Sequence, residues 1–475
     1  MAQASPALTD FSDRLSPMVV KELRQGLRTR AFTGTLLLLH LGLILITLMA
    51  GAAGNVEDTR WMYDGIATVT LCLVLPFRVS NAISEEVKLN TLDMLMLTRL
   101  SSGRIVFGKW AAVAVQSLLI AVSLLPYLVA RYVLGGLELG TELLMLGSKW
   151  LAGILFAALL VMLSTLRQAW LRMILTAVPV FFGMIGVSGY FMFFLMSRAS
   201  GGGTPPWGGA PVEGWMIALG LLFSAWIIFA CLSLAASRIA PPAEPLAWLK
   251  RLVNLAMFLT LLLVFAATRN PSVLAMASVV TAFLSLDVLT ETLNDVPSAY
   301  AGFYRRGWLG RLAMPFLAPG WASGFWVTLA GTLLMAGASA STGGFSDAAQ
   351  VLLTACTAWM ISVLFQLLPT RHSPDPLPVF LVMVVLLYLL AGMVSGAAVL
   401  LARTSGGTPW MLAAFPPAAL LGWNAVTGTS ARESFLQTSL LAGSLWPLLH
   451  ALWALRAWKR LQPVRQEAQQ LAAEP

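Results

Sequence analysis

The chain has 475 residues, of which 58% are hydrophobic and 11% charged, and its mean hydropathy is +0.80. Soluble domains carry about 25% charged residues, so the composition excludes an ordinary soluble domain. The net charge of +9 does not indicate nucleic-acid binding, because the bases are distributed as an orientation signal along a helical membrane protein. Strands of a β-barrel would alternate and be far less continuously apolar.

From the amino terminus, SPMVVKELRQGLRTRAF (16–32) predicts a helix, with Ser16 as N-cap and Pro17 at the first position. Val19, Leu23, Leu27 and Ala31 recur every four residues, and Lys21, Arg24 and Arg28 gather on a neighbouring arc beside Glu22. Such a helix is expected in the membrane interface, with its stems in lipid and its charges at the headgroups. The alternative is a basic flank of the first span.

Twelve apolar runs follow, near 33–53, 62–79, 111–130, 143–165, 173–196, 215–237, 252–268, 271–290, 316–338, 349–369, 378–402 and 435–456. Each is long enough to cross a hydrocarbon core of about 30 Å as a helix. The first begins too late and runs too long for a secretory leader, so it is expected to remain as an anchor. With a cytoplasmic amino terminus, about 23 of the 30 Lys and Arg fall on the inner side. Attraction to anionic lipid would reinforce that orientation. The expectation is a multi-pass protein of the cell membrane, the inner membrane in a bacterium, with both termini cytoplasmic and no domain outside.

The runs group into two six-span halves. Residues 1–32 form the lead-in, 33–240 the first half with a charged insert at 80–110, 241–457 a divergent second half, and 458–475 a short solvated tail. The loops SGGGTPPW and SGGTPW lie about 205 residues apart, and the charged inserts 80–110 and 291–312 share a similar offset, as a duplication would leave. The stretch 409–427 is apolar but short and is broken by Pro416 and Pro417, which suits a re-entrant hairpin rather than a span.

The insert SNAISEEVKLNTLDMLMLTRLSSGRIVFGKW (80–110) stands out for its charge. Glu85 and Glu86 close the second span, and Asn90 or Thr91 can cap a short helix carrying Leu92, Leu95 and Met96. Asp93 in its first turn and Arg99 at its end both favour the helix dipole. Ser101 or Ser102 caps a second helix, and Lys109 and Trp110 mark re-entry into the membrane. A helix–break–helix of this kind offers apolar residues to a groove in another protein; the alternative is an amphipathic loop packed on its own spans.

This arrangement resembles the permease subunit of ABC exporters of the second type. The family's coupling region has an acidic pair, Gly-Thr-Leu, a leucine run, Thr-Pro-Leu-Ser, an Ile-Val pair and Gly-Lys. Here Glu85-Glu86, Thr91-Leu92, Leu95 and Leu97, Thr98, Leu100-Ser101, Ile105-Val106 and Gly108-Lys109 occur in that order. The lead-in is similar to the family's elbow helix, with Lys21, Glu22, Arg24 and Arg28 on it. The likeness is specific over 16–110, topological over 111–237 and weak over 238–475. Asn90 stands where the family has glycine and Arg99 where it has proline, and 291–312 has neither a leucine run nor a Gly-Lys close.

The resemblance implies a non-catalytic permease that moves when a separate ATPase binds ATP. Its coupling surface would be Glu85, Glu86, Thr91, Leu92, Asp93, Leu95, Arg99 and Lys109. No G-x-x-x-x-G-K-[ST] motif occurs, so ATP and magnesium would belong to that P-loop ATPase, and no cofactor is expected in this chain. The expected partners are the ATPase, membrane lipid and, if the second half is degenerate, a second permease chain; nucleic acid is not among them.

Other ionisable groups fall inside or near spans: His40, Asp64, Asp287 and His450, each expected to bond a neighbouring helix. Arg131 and Lys149 are expected to snorkel to the surface. Cys72, Cys231 and Cys356 sit in apolar runs, and the three histidines lack ligand spacing, so neither a disulfide nor a metal site is expected. Two other functions compete with the permease. A twelve-span secondary transporter would show midplane charges. A membrane-embedded glycosyl- or acyltransferase would need a carboxylate cluster, for which Asp287, Glu291 and Asp295 are the candidates.

Overall fold

The computed structural model describes residues 17–53, 57–89, 101–134, 139–166, 168–177, 214–241, 244, 246–367, 376–405, 410–423, 426 and 428–473. Every regular element among them is helical, and ten helices are long and apolar enough to cross a membrane. The chain divides into two compact units, Met1–Ile239 and Ala240–Pro475.

In the first unit, α1 (Pro17–Leu27) turns at Thr29 into α2 (Arg30–Ala53). The second span is composite: α3 (Glu57–Thr68), a π-helical turn at Val69–Val74, a last turn at Leu75–Phe77, and α4 (Ala82–Lys88). Leu75 donates its N–H to the Thr70 carbonyl, and Pro76, which has no N–H, follows directly. Then come α5 (Ser102–Ser123), α6 (Leu125–Val133), α7 (Leu139–Ser164) and α8 (Gly214–Ile239).

Phe32, Leu39, Leu43 and Ile46 of α2 pack with Tyr63, Ala67, Leu71, Leu75, Ile120, Leu124 and Leu128. Leu37, Leu38, Leu41, Leu45 and Leu48 on the opposite face of α2 are exposed, an apolar surface of a size soluble monomers rarely show. A Cβ on Gly153 of α7 would lie 2.3 Å from the Leu71 carbonyl oxygen, so glycine is what lets α7 approach the π turn. The Cys72 thiol meets the Lys149 carbonyl at 3.3 Å in the same contact.

In the second unit, α9 (Ala247–Thr268) and α10 (Pro271–Leu289) form a hairpin. Its corner is Arg269 at φ 53° and Asn270, whose side chain accepts from Ser272 N at 2.9 Å. Two short helices follow, α11 (Ser298–Arg305) and α12 (Gly307–Leu317), then α13 (Trp321–Leu367). The expected spans 316–338 and 349–369 are thus one 47-residue element, broken at Gly344 with φ 66° and ψ −147°. Trp359 Nε1 donates to Thr328 Oγ1 at 3.3 Å. On a straight helix those residues would be about 46 Å apart, so α13 doubles back on itself.

The chain continues through α14 (Pro376–Ser405), a 3-10 turn at Trp410–Ala414, α15 (Pro416–Gly422), α16 (Thr429–Gly443), α17 (Leu445–Arg460) and α18 (Gln462–Ala473). The apolar stretch around Pro416 is therefore two short pieces, neither long enough to span. Ser395 donates to the Ala418 carbonyl at 2.9 Å and pins α15 to α14.

One expectation needs correction here, and another falls largely outside the described residues. The tail is not simply solvated, because Ala468 of α18 is buried with Leu461, Ala299, Tyr300, Phe303 and Met314. Of the expected span 173–196, residues 173–177 belong to a helical stretch, 169–177, and the remainder lies outside the described residues.

Candidate functional site

Three elements of the first unit meet at Lys109, near the start of α5. Its ammonium lies 2.8 Å from Glu86 on α4 and 3.3 Å from Glu22 on α1, and Lys109 itself is buried. The helix carrying Lys109 begins as the sequence suggests, with extended Ser101 at the N-cap position and Arg104 N bonded to its carbonyl. The Ser101 side chain makes no cap bond. Glu85 is exposed on α4. Thr91, Leu92, Asp93, Leu95 and Arg99 lie outside the described residues; the Glu86–Lys109 pair ties together the two sides of the segment that contains them.

The described part of the lead-in helix, Pro17–Leu27, does not have its apolar face in lipid. Met18, Val19 and Leu23 are buried, and Gly108 on α5 leaves the space for Met18, whose Cγ would lie 2.7 Å from a Cβ there. A stripe of residues at helical spacing is satisfied equally by lipid or by another helix, and here α5 supplies the surface. Lys21, Arg24 and Arg28 are exposed, Leu27 is half-buried and Ala31 is exposed. Lys21 lies 3.8 Å from Glu22.

Sequence reasoning missed the residue that locks the corner between α1 and α2. The Arg78 guanidinium donates to the Gly26 carbonyl at 2.9 Å, to Thr29 Oγ1 at 2.6 Å and to Gln116 Oε1 at 2.7 Å. Thr29 Oγ1 also donates to the Gly26 carbonyl at 2.7 Å. The only sequence signal was an arginine flanking Pro76, which reads as an ordinary basic span end.

A second polar layer sits at the other ends of the same helices. Lys149 is 2.5 Å from Asp64, and Arg60 is 2.9 Å from Glu142. Arg131 is buried, with its guanidinium 4.3 Å over the Tyr63 ring and 3.7 Å from Glu142. Neither Arg131 nor Lys149 snorkels outward as expected; both turn inward to acids on neighbouring helices. Twenty-two residues separate Lys109 from Arg131, and the same number separates Asp64 from Glu86. An unbroken α-helix of that length would rise about 33 Å; these two limbs are interrupted, at 69–81 and at Leu124.

In the second unit a buried cluster joins α9 and α10 to the segment entering α13. Lys250 lies 2.7 Å from Asp287 and 3.6 Å from Glu291. Arg251 is paired with Glu291 and donates to the Phe316 carbonyl at 2.9 Å, the Gly320 carbonyl at 2.9 Å and Ser323 Oγ at 2.8 Å, and also to the Ala318 carbonyl. Glu291 accepts from Gly320 N at 3.0 Å. Burial alone would raise the Glu291 carboxyl, but Arg251, Lys250 and the Gly320 N–H more than offset it and hold the group below its usual range. Burial pushes the Tyr300 hydroxyl up.

Asp287 and Glu291, two of the three acids named for an enzyme, are thus each held by a cation, and Asp295 is exposed. His450 bonds Ser362 at 2.9 Å and stacks on Phe325 at 4.8 Å, a helix–helix contact of the kind expected for it. His40 lies 5.6 Å from the Tyr127 ring. Among the described residues no group of three metal-ligating side chains occurs, and the three cysteines are free. No protein-family model, curated protein or solved structure matches the chain.

Proposed function

We propose that the chain is the permease subunit of an ATP-driven exporter of the second ABC type, working with a separate P-loop ATPase. The observation that carries this reading is the Lys109 node. A motor acting on the insert would need its displacement passed to several helices at once. Lys109 joins the span entering the insert, the span leaving it and the amino-terminal helix through two carboxylates. Glu85, Thr91, Leu92, Asp93, Leu95 and Arg99 would then form the surface the ATPase touches. A rigid-body switch of this kind requires differential contacts in two states.

In this reading the chain has twelve spans in two halves, both termini are cytoplasmic, and the membrane is the bacterial inner membrane. The two limbs of α13 would count as two spans and 173–196 as another. ATP and magnesium would bind the partner, and a second permease chain would be required only if the second half cannot engage an ATPase.

The test is an affinity purification from native membranes in mild detergent, followed by mass spectrometry of what is retained. Recovery of a P-loop ATPase, lost in Leu92→Ala/Asp93→Ala while the permease elutes as a monodisperse species, is the expected result. A well-folded preparation free of any ATPase would sink the proposal. One observation favours a secondary transporter instead: Lys250 and Asp287 form a buried ion pair within a pair of spans. That reading requires transport in vesicles driven by an ion gradient and lost in Asp287→Asn.

A further inference from the structure

The short helix α12, Gly307–Leu317, has two dissimilar faces. Gly310 and Met314 point into the protein, and a Cβ on Gly310 would come within 1.9 Å of the Phe303 carbonyl oxygen. On the other side Trp308, Leu309 and Leu312 are 72%, 58% and 66% exposed, with Phe316 one turn further on. Arg305 and Arg306 precede this apolar strip and Arg311 adjoins it. All three are exposed, and none is paired with a carboxylate among the described residues. The Arg306 guanidinium lies 5.1 Å over Trp248 and that of Arg311 6.0 Å over Tyr304, contacts that leave their charge uncancelled.

The height of this helix relative to its unit is set by Arg251. That side chain springs from near the start of α9, a helix long and apolar enough to span the membrane, and holds the Phe316, Ala318 and Gly320 carbonyls where α12 runs into α13. Glu291, just past the end of the spanning helix α10, accepts from the same guanidinium. The helix therefore lies at the level where the spans end. The end of α17 and the start of α18, which pack on α11 and α12 through Leu461 and Ala468, add exposed Arg456, Lys459 and Arg460 to the same cluster of elements.

An amphipathic helix at the ends of the spans, bare and aromatic on one side and fringed with unpaired arginines, fits a lipid surface. We propose that α12 is an interfacial anchor of the second unit, lying in the bilayer interface with Trp308, Leu309 and Leu312 among the acyl chains and Arg305, Arg306 and Arg311 on anionic headgroups. The first unit offers a parallel, because there too an amphipathic helix enters a span through a corner locked by an arginine, Arg78, from another span. The difference is that α1 has its apolar face covered by α5, whereas that of α12 is open.

The experiment places nitroxide labels singly at Arg305, Leu309 and Leu312, with Cys72, Cys231 and Cys356 replaced by alanine, in the full chain in vesicles of phosphatidylcholine with or without phosphatidylglycerol. Labels at Leu309 and Leu312 should be relaxed by oxygen and shielded from a water-soluble nickel chelate, and the label at Arg305 the reverse. The Leu312 label should sit deeper when phosphatidylglycerol is present, and Arg306→Gln/Arg311→Gln should abolish that difference while leaving the elution profile unchanged. Nickel access at Leu309 and Leu312 would overturn the proposal. Shielding from both relaxants, which would mean that another protein surface covers the helix, would also overturn it, as would a depth indifferent to phosphatidylglycerol. None of these readouts involves an ATPase, so this proposal and the exporter reading fail separately.

Discussion

Lys109 and Glu86 lie on opposite sides of the segment 89–101, yet their charged groups are 2.8 Å apart. The ion pair therefore does for this segment what a hairpin turn does for two strands: it fixes the separation of the ends whatever the chain between them does. Glu22 shares the ammonium at 3.3 Å, so the amino-terminal helix cannot shift along α5 without disturbing the same pair.

Replacing Lys109 by methionine keeps the stem but leaves two half-buried carboxylates facing each other. Breaking a fully buried pair costs about 3–5 kcal/mol, and partial exposure of both acids places the expected loss at the lower end. Thermal unfolding in detergent should show a clear fall in Tm for Lys109→Met. A large part should be regained in Lys109→Met/Glu22→Gln/Glu86→Gln, because the uncompensated charge is then gone. Equal instability of the single and triple variants would show that the charge is not what matters there.

Gly153 and Gly147 lie on the same helix and make a matched pair. A methyl group at Gly153 meets the Leu71 carbonyl oxygen at 2.3 Å, whereas one at Gly147 meets nothing within 4 Å. Gly153→Ala should destabilise by about 1–3 kcal/mol through forced separation of α7 from the π turn. Gly147→Ala should be neutral or slightly stabilising, since alanine favours helix. A melting comparison of the two in one detergent decides it.

The Glu291 carboxyl is held below its usual range in the folded protein. The folded state then binds fewer protons than the unfolded state as the solution is acidified. The stabilisation is complete above the ordinary carboxylate range and is lost as pH falls through the depressed folded value. Wild-type Tm should therefore fall on acidification below about pH 4.3, the ordinary glutamate value. Glu291→Gln should start lower at neutral pH and depend less on pH. A variant with an undiminished acid response would assign that response to other carboxylates.

Gly344 breaks α13 at φ 66° and ψ −147°, backbone angles that a side chain strongly disfavours. Gly344→Ala has open space for its methyl group, so its cost is conformational, about 1–3 kcal/mol. Cross-linking of cysteines placed at Thr328 and Trp359 would report whether the limbs still meet. Gly337→Ala, also in open space on the same helix, is the control.

Much of the architecture was legible because a bilayer demands long apolar runs, and those at 33–53, 215–237 and 378–402 correspond to α2, α8 and α14. The helical character of α1 was legible too, since Val19, Leu23 and Leu27 recur at helical spacing. What could not be read was anything settled by a distant neighbour. Lys250 and Arg251 precede an apolar run and look like span-end cations, but their partners lie 37 to 72 residues away along the chain. Arg131 and Lys149 deceived for the same reason. The repeat of Val19, Leu23 and Leu27 gave the helix but not whether lipid or protein covers it. In α12, which begins within the expected insert 291–312 and runs into the expected span 316–338, the apolar face follows from Gly310 and Met314 pointing inward. The part of the insert expected to form the coupling surface, from Thr91 to Arg99, lies outside the described residues.

The two charged layers of the first unit have a consequence for the membrane that houses it. Glu86 and Lys109 at one level, and Asp64 and Arg131 at the other, are 22 residues apart along the chain and are paired to other helices at both ends. Helices stapled in this way cannot tilt individually to suit a thinner or thicker bilayer, so the lipid must deform around them, at fractions of a kcal/mol per ångström. The unit is in effect a gauge block, and acyl-chain length becomes a variable to which its activity should respond.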